Sequence, residues 1–387
     1  MSRVGVQGFQ RGRLDQVLAA RRLTQVQLAL MVGVSPATLS KWCTGMHAPE
    51  REALERLARV VNVAPDWFTR TPGAKVLQPL FRSNAPAHAA ARALLEARIG
   101  WAQDVAAALM EYGVSYGDVY LPTRTYTHPE EITAEAIEQA AEECRGMWRL
   151  GRSEIEDLAL AAEWAGIILV REETGIAQIE GLSAWSKVLR RPIVLLSADQ
   201  DNGYRGRFDL AHEVGHLVLH RCIERPTEPA RHKLLEQQAH LFAGAFLLPA
   251  ETFAAEVLLH PTLDDLLLLK RRWGVSVAAI ITRLRTLQLL DEDGARMLLK
   301  RRSVRWGAKS EPGDGDRKPE KPRSLRRAID LLVEKNIIPL EAVPGHIGLA
   351  SVDIEALAGL PEGYLRGKAN NRIGQGSNVV PLRPLFK

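Results

Sequence analysis

The 387-residue sequence predicts a multidomain, mainly α protein with a small sheet, and three observations lead there. The length exceeds what one hydrophobic core usually organises and points to two to four domains. Residues 9 to 70 read as short helices separated by Gly and Ser-Pro signals, with no strand pattern among them. Three short apolar runs between residues 167 and 197 read as strands, and they lead directly into a helix carrying His212-Glu213-Val214-Gly215-His216.

Composition narrows the class. Hydrophobic and charged fractions of 46 % and 25 % are those of an ordinary globular protein, so no membrane partner is expected. The segment Met1 to Gly8 lacks an apolar secretory core, and Cys43, Cys144 and Cys222 are scattered without a CxxC pair. Both features favour a reducing, cytoplasmic location and argue against a thiolate metal site. The net charge of +5 is unevenly placed: residues 1 to 70 hold ten Arg or Lys against five Asp or Glu, and residues 300 to 327 hold eleven against four. Clustered positive charge suits a polyanionic partner.

Helices are expected at Phe9–Arg22 and at Gln25–Val32, the second with Thr24 as N-cap. Gly33 can end that helix in a left-handed conformation, while Ser35 as N-cap and Pro36 at the first helical position start the next, Ala37–Trp42. Gly45 to Pro49 stops it, and Arg51–Val61 follows. Leu28, Ala29, Val34, Leu39 and Trp42 are apolar where a helix-turn-helix needs its core. The run Leu23 to Ala29, with Gly33-Val34-Ser35, Thr38 to Trp42 and Gly45, resembles the lambda-repressor-type (xenobiotic-response-element) helix-turn-helix domain. That resemblance implies binding of double-stranded DNA through the third helix in the major groove, usually as a homodimer. Gln25 and Ser35 would then hold phosphates, while Ala37, Thr38 and Lys41 would face base edges.

After this domain (residues 1–72), a connector with a long helix (Ala87–Tyr112) is expected over 73–135, then helices at Ala134–Leu150 and Ser153–Ala165. Strands are expected at Ile167–Val170, Ile179–Trp185 and Pro192–Ser197, the last apolar enough to be covered on both faces. The next helix, Phe208–His220, carries the chemistry. His212 and His216 are four apart, so both imidazoles reach one cation, and Glu213 can take a proton from water that the metal activates.

A catalytic zinc needs a third protein ligand. His220 would lie about 12 Å and 80° from His212 along a straight helix, so it cannot share the ion. Leu219 and Cys222 stand where a metzincin would need Gly and His. His232 is expected in a polar loop. Glu236 and His240 share one face of a second helix, which makes Glu236 the simpler ligand; His240 is an alternative, or a partner held behind the ligands. Tyr204, Arg207 and His220 are further candidates for an oxyanion donor, and sequence does not choose among them.

Gly206 to His220, with Glu236 to Pro249 and the earlier Phe81-Arg82-Ser83 and Gly181 to Ser197 segments, resembles the ImmA/IrrE metallopeptidases. The resemblance implies an α+β, zincin-like metallopeptidase domain, here over 136–310, with zinc on His212, His216 and Glu236 and with Glu213 as base. Position 240 departs from it, being His where the family usually has Asn or Asp. Cleavage of a repressor in a stress response or mobile-element control is also implied. The alternatives are a regulator whose zincin domain senses a ligand or partner without cutting, and the toxin or phage-defence half of a pair checked by an antitoxin.

Residues 262–290 repeat a helix-Gly-Val-Ser-helix pattern, either a second helix-turn-helix-like unit or a helical extension of the same core. Residues 311–324 are almost devoid of apolar side chains and read as a disordered linker. A small satellite module of three short helices is expected over 325–367 and a tail over 368–387, where Val379-Val380-Pro381-Leu382 offers a docking segment.

Overall fold

The computed structural model describes residues 5–72, 86–175, 180–200, 202–224 and 228–367. The Phe81-Arg82-Ser83 segment, Ile179 and the tail 368–387 lie outside the described residues. The N-terminal helices are α1 (Arg11–Ala20), α2 (Gln25–Val32), α3 (Pro36–Thr44) and α4 (Arg51–Val61). Thr24 caps α2 in a reciprocal capping box with Gln27, Gly33 ends it at φ 74°, and Ser35 Oγ accepts the Thr38 N–H to start α3. These are the predicted signals in the predicted places. No helix among the described residues is long and apolar enough to cross a membrane.

The expected connector is a core element. Its helix α5 (Pro86–Glu111) packs along α1 and against the sheet. Trp101 of α5 meets Trp67 edge-on at 6.1 Å, and Arg13 of α1 pairs with Asp104 of α5. After α6 (Ala134–Met147), α7 is shorter than expected, Leu158–Trp164. Asp157 caps α7, and Arg145 takes the carbonyls of Gly151 and Ser153, which holds the segment before it in an irregular path.

Strands β1 (Ile168–Glu172), β2 (Gly181–Ser186) and β3 (Arg191–Ser197) form one sheet in the order β1-β3-β2. β1 runs parallel to β3, and β2 antiparallel to it. Alternation along the strands divides the protein into two cores. Ile168, Val170, Leu182, Ala184, Ile193 and Leu195 join the N-terminal helices and α5. Leu169, Val194 and Leu196 join the second core, where α8 (Gly203–Leu219) packs on β2 and β3 and in turn on α6 and α9 (Pro229–Leu247). Both faces of β3 are covered, as its apolar run requires.

Beyond α10 (Ala250–Ala255) come α11 (Leu263–Trp273), α12 (Val277–Thr286) and α13 (Glu292–Trp306). The α11–α12 pair has helix-turn-helix form, with Gly274 at φ 70°, yet it behaves as an extension of the second core. Val277, Ile280, Ile281 and Leu284 of α12 are buried, and Arg283 bonds the Leu248 carbonyl and Glu138. The Glu311 carboxylate accepts the backbone N–H groups of Val277 and Ala278, occupying the helix end that a DNA phosphate would need.

The expectation of a disordered linker over 311–324 is overturned. Glu311 is buried with Lys270 and Arg302, Glu320 pairs with Arg207 and accepts the Ala159 N–H, and Glu163 accepts the N–H groups of Arg323 and Ser324. The low apolar content signalled disorder, but these charges are anchored one by one in the second core. Helix α14 (Ser324–Glu334), α15 (Val343–Ile347) and α16 (Ser351–Ala358) then complete the first core. They are no satellite: Val63 bridges to Leu349, Arg70 donates to the His346 and Ile347 carbonyls, and Asp353 accepts from both Arg21 and Arg98.

Candidate metal centre

Helices α8 and α9 build the site together. Asn202 caps α8 by accepting the N–H groups of Tyr204 and Arg205, so the helix starts five residues before the expected Phe208. Helix α9 likewise starts early, at Pro229, which places His232 in a buried helical position and not in a loop. The two helices approach closely at Gly215, where a Cβ would lie 3.1 Å from Phe242 Cβ and 3.2 Å from the Ala239 carbonyl oxygen. A side chain there would hold α9 away.

That approach brings Glu236 to the histidines. His212 Nε2 lies 3.0 Å from His216 Nε2, and the Glu236 oxygens lie 3.5 Å from His212 Nε2 and 3.4 Å from His216 Nε2. Tetrahedral zinc with bonds of about 2.0–2.1 Å sets its ligands roughly 3.3 Å apart, so these three donors match the edges of that figure. They form the one group of three or more possible metal-ligating side chains found among the described residues. His212 and Glu236 are 12 % and 13 % exposed against 5 % for His216, so the site opens on the His212–Glu236 side. Burial favours a protonated Glu236, but the two imidazoles, when they carry a proton towards it, outweigh burial and hold the carboxyl well below the usual carboxylate range.

Glu213 points to the sheet. A Cβ on Gly181 of β2 would sit 3.1 Å from its Cγ and Oε1, so glycine makes room for this carboxylate. Burial pushes the Glu213 carboxyl up, against the opposing pull of His216 and of hydrogen bonding from Ser183, while the Glu236 charge adds to the rise. His240 stands beside the three donors: its ring meets that of His212 edge-on at 4.5 Å, and its Nδ1 donates to the Glu236 carbonyl at 2.8 Å.

Three expected oxyanion donors are engaged elsewhere. Arg207 is buried and bonds the Ile155 and Glu156 carbonyls and Glu320. Tyr204 is buried with its ring under the Lys270 ammonium at 4.5 Å. His220 lies behind His216, with its Nδ1 2.9 Å from His216 Nδ1, and burial beside that ring keeps its pKa well below the ordinary histidine value. Sequence reasoning missed Gln238, which accepts at 3.1 Å from His220 Nε2, and Ser183. A glutamine at a core position of α9 was the available signal for the first; nothing marked the second.

In the N-terminal domain, Gln25 at the start of α2, Ser35 before α3, and Ala37 and Lys41 on α3 are exposed. Thr38 is half-buried, with its hydroxyl 2.8 Å from Ser35 Oγ.

Residues 14–68 match the family described as helix-turn-helix, and residues 162–285 match the IrrE N-terminal-like domain of the M78 peptidases. A search of curated proteins finds no match. The chain thus carries a helix-turn-helix domain near its N-terminus, followed by a peptidase domain of the IrrE-like M78 kind.

Proposed function

We propose that this protein is a DNA-binding, zinc-dependent endopeptidase that regulates transcription or a stress response by cleaving a repressor protein. The observation that carries the reading is the convergence of His212, His216 and Glu236 at tetrahedral spacing beside a buried Glu213. Zinc held by those three residues would supply Lewis acidity towards water and towards a peptide carbonyl. Glu213, steadied by Ser183, accepts the proton of the attacking water and returns it to the leaving amine. A raised pKa suits that double duty, because the group must both take and release a proton near neutral pH. β2 is an edge strand of the sheet, and Gly181 at its start packs on Glu213, so an extended peptide pairing with β2 would lie across the base.

The domain at 14–68 supports the regulatory half of the reading, with Lys41 and Gln25 exposed for DNA. Metal analysis of purified protein tests the centre. One zinc per chain is expected in wild type and in Glu213→Gln, and its loss in His216→Ala and Glu236→Ala. Zinc retained by both of the latter variants would rule out this ligand set.

A further inference from the structure

The nitrogen of His216 that faces His212 and Glu236 must offer a lone pair if it is to hold a cation, and the protein has a way to enforce this. Gln238 Nε2 lies 2.7 Å from the Pro129 carbonyl oxygen and 3.3 Å from that of Ile132. Both are acceptors only, so the amide cannot be flipped without setting oxygen against two oxygens. Its Oε1 therefore faces His220 Nε2, at 3.1 Å, as an acceptor. An acceptor there requires the proton of a neutral His220 to sit on Nε2, which leaves Nδ1 with a lone pair. His220 Nδ1 is 2.9 Å from His216 Nδ1, and a contact that short between two ring nitrogens needs one proton between them. His216 must supply it. With its proton on Nδ1, His216 presents an unprotonated Nε2 to His212 and Glu236.

We infer that Gln238 and His220 are positioning residues which set the tautomer and ring orientation of His216 through a chain running from the Pro129–Ile132 carbonyls to the metal-facing nitrogen. The inference rests on the metal reading proposed above only for its purpose; the proton arrangement itself is a property of the zinc-free protein. The chain also separates the two histidines, for His212 Nδ1 is buried without a hydrogen-bond partner among the described residues. His216 is the ligand the fold prepares. Partners of this kind behind a metal ligand typically carry a 10–100-fold effect on affinity.

Nitrogen NMR of histidine-labelled, zinc-free full-length protein reads the tautomers directly, at a pH about 1.5 units above the ordinary histidine value. Zinc competition with a chromophoric chelator reads the affinity. The expected result is an Nδ1–H form for His216 and an Nε2–H form for His220. In Gln238→Met, which keeps the side-chain length and removes both polar atoms, the His220 preference is lost and zinc binds about 10–100-fold more weakly. An Nδ1–H form of His220 in wild type overturns the inference, as does a Gln238→Met variant with unchanged tautomers and affinity. Should wild type bind no zinc, the metal reading falls while the tautomers still decide the chain.

Discussion

Glu213 has to be ionised to act as a base, yet its surroundings favour the neutral acid. Burial is the main cause, and the charge of Glu236 adds to it. Glu213→Gln should lower the rate about 10²–10⁴-fold while zinc stays bound. Stability gives an independent check in zinc-free protein. A carboxyl whose pKa is raised on folding loses stability for the chain as pH climbs through that pKa. Glu213→Gln removes this cost, so its thermal midpoint should exceed that of wild type at neutral pH. The gap should close below the unfolded glutamate value, and a gap independent of pH would contradict the assignment. The pairing of His212 with His216 was legible because helix periodicity puts residues four apart on one face, and the structure brings Glu236 of the next helix to them. His220, Arg207 and Tyr204 were harder to place, since their partners come from distant segments: Gln238, Glu320 and Lys270.

The decisive element pair is α8 and α9, held close at Gly215. Adding Cβ and two methyls there in Gly215→Val meets Phe242 and the Ala239 carbonyl, so overpacking should cost about 1–3 kcal/mol. It should also weaken zinc binding, because the same displacement carries Glu236 away from the histidines. Denaturant unfolding and chelator competition measure the two effects. A variant destabilised as expected, but with wild-type zinc affinity, would show that the helix spacing does not set the site. Helix caps were readable from sequence at Thr24, Ser35 and Gly33, where capping is local. The segment 311–324 was not, because its order comes from Glu311, Glu320 and Arg323 meeting partners remote in sequence. Composition reports how much apolar surface a segment can bury and says nothing of such partners.

Across the whole molecule, the sheet is shared by two cores, and the DNA-binding domain belongs to one of them. Residues from α1 to α4, α5, one face of the sheet and α14 to α16 form a single cluster. Arg21 and Arg98 both grip Asp353, and Arg98 also pairs with Glu172 of β1, so four segments meet at one buried charge network. Neither the sequence pattern nor the two matched segments exposes this union, because each unit carries complete local signals of its own. Calorimetry should accordingly show the helix-turn-helix unfolding in the same transition as the sheet. A separate, earlier transition for the N-terminal domain, silent to Asp353→Ala, would contradict a common core. Helix α5 links the N-terminal domain and the sheet, packing along α1 on one side and on β2 and β3 on the other.

The proposed function requires Glu213, beside His212, His216 and Glu236, to serve the cleavage of a protein. Quantitative profiling of new protein N-termini after induction, in cells expressing wild type or Glu213→Gln, tests it most directly. A small set of cleavage products is expected in wild type, absent from Glu213→Gln and from His216→Ala, with a DNA-binding repressor among the proteins cut. The same products in all three strains, or none in any, would contradict it.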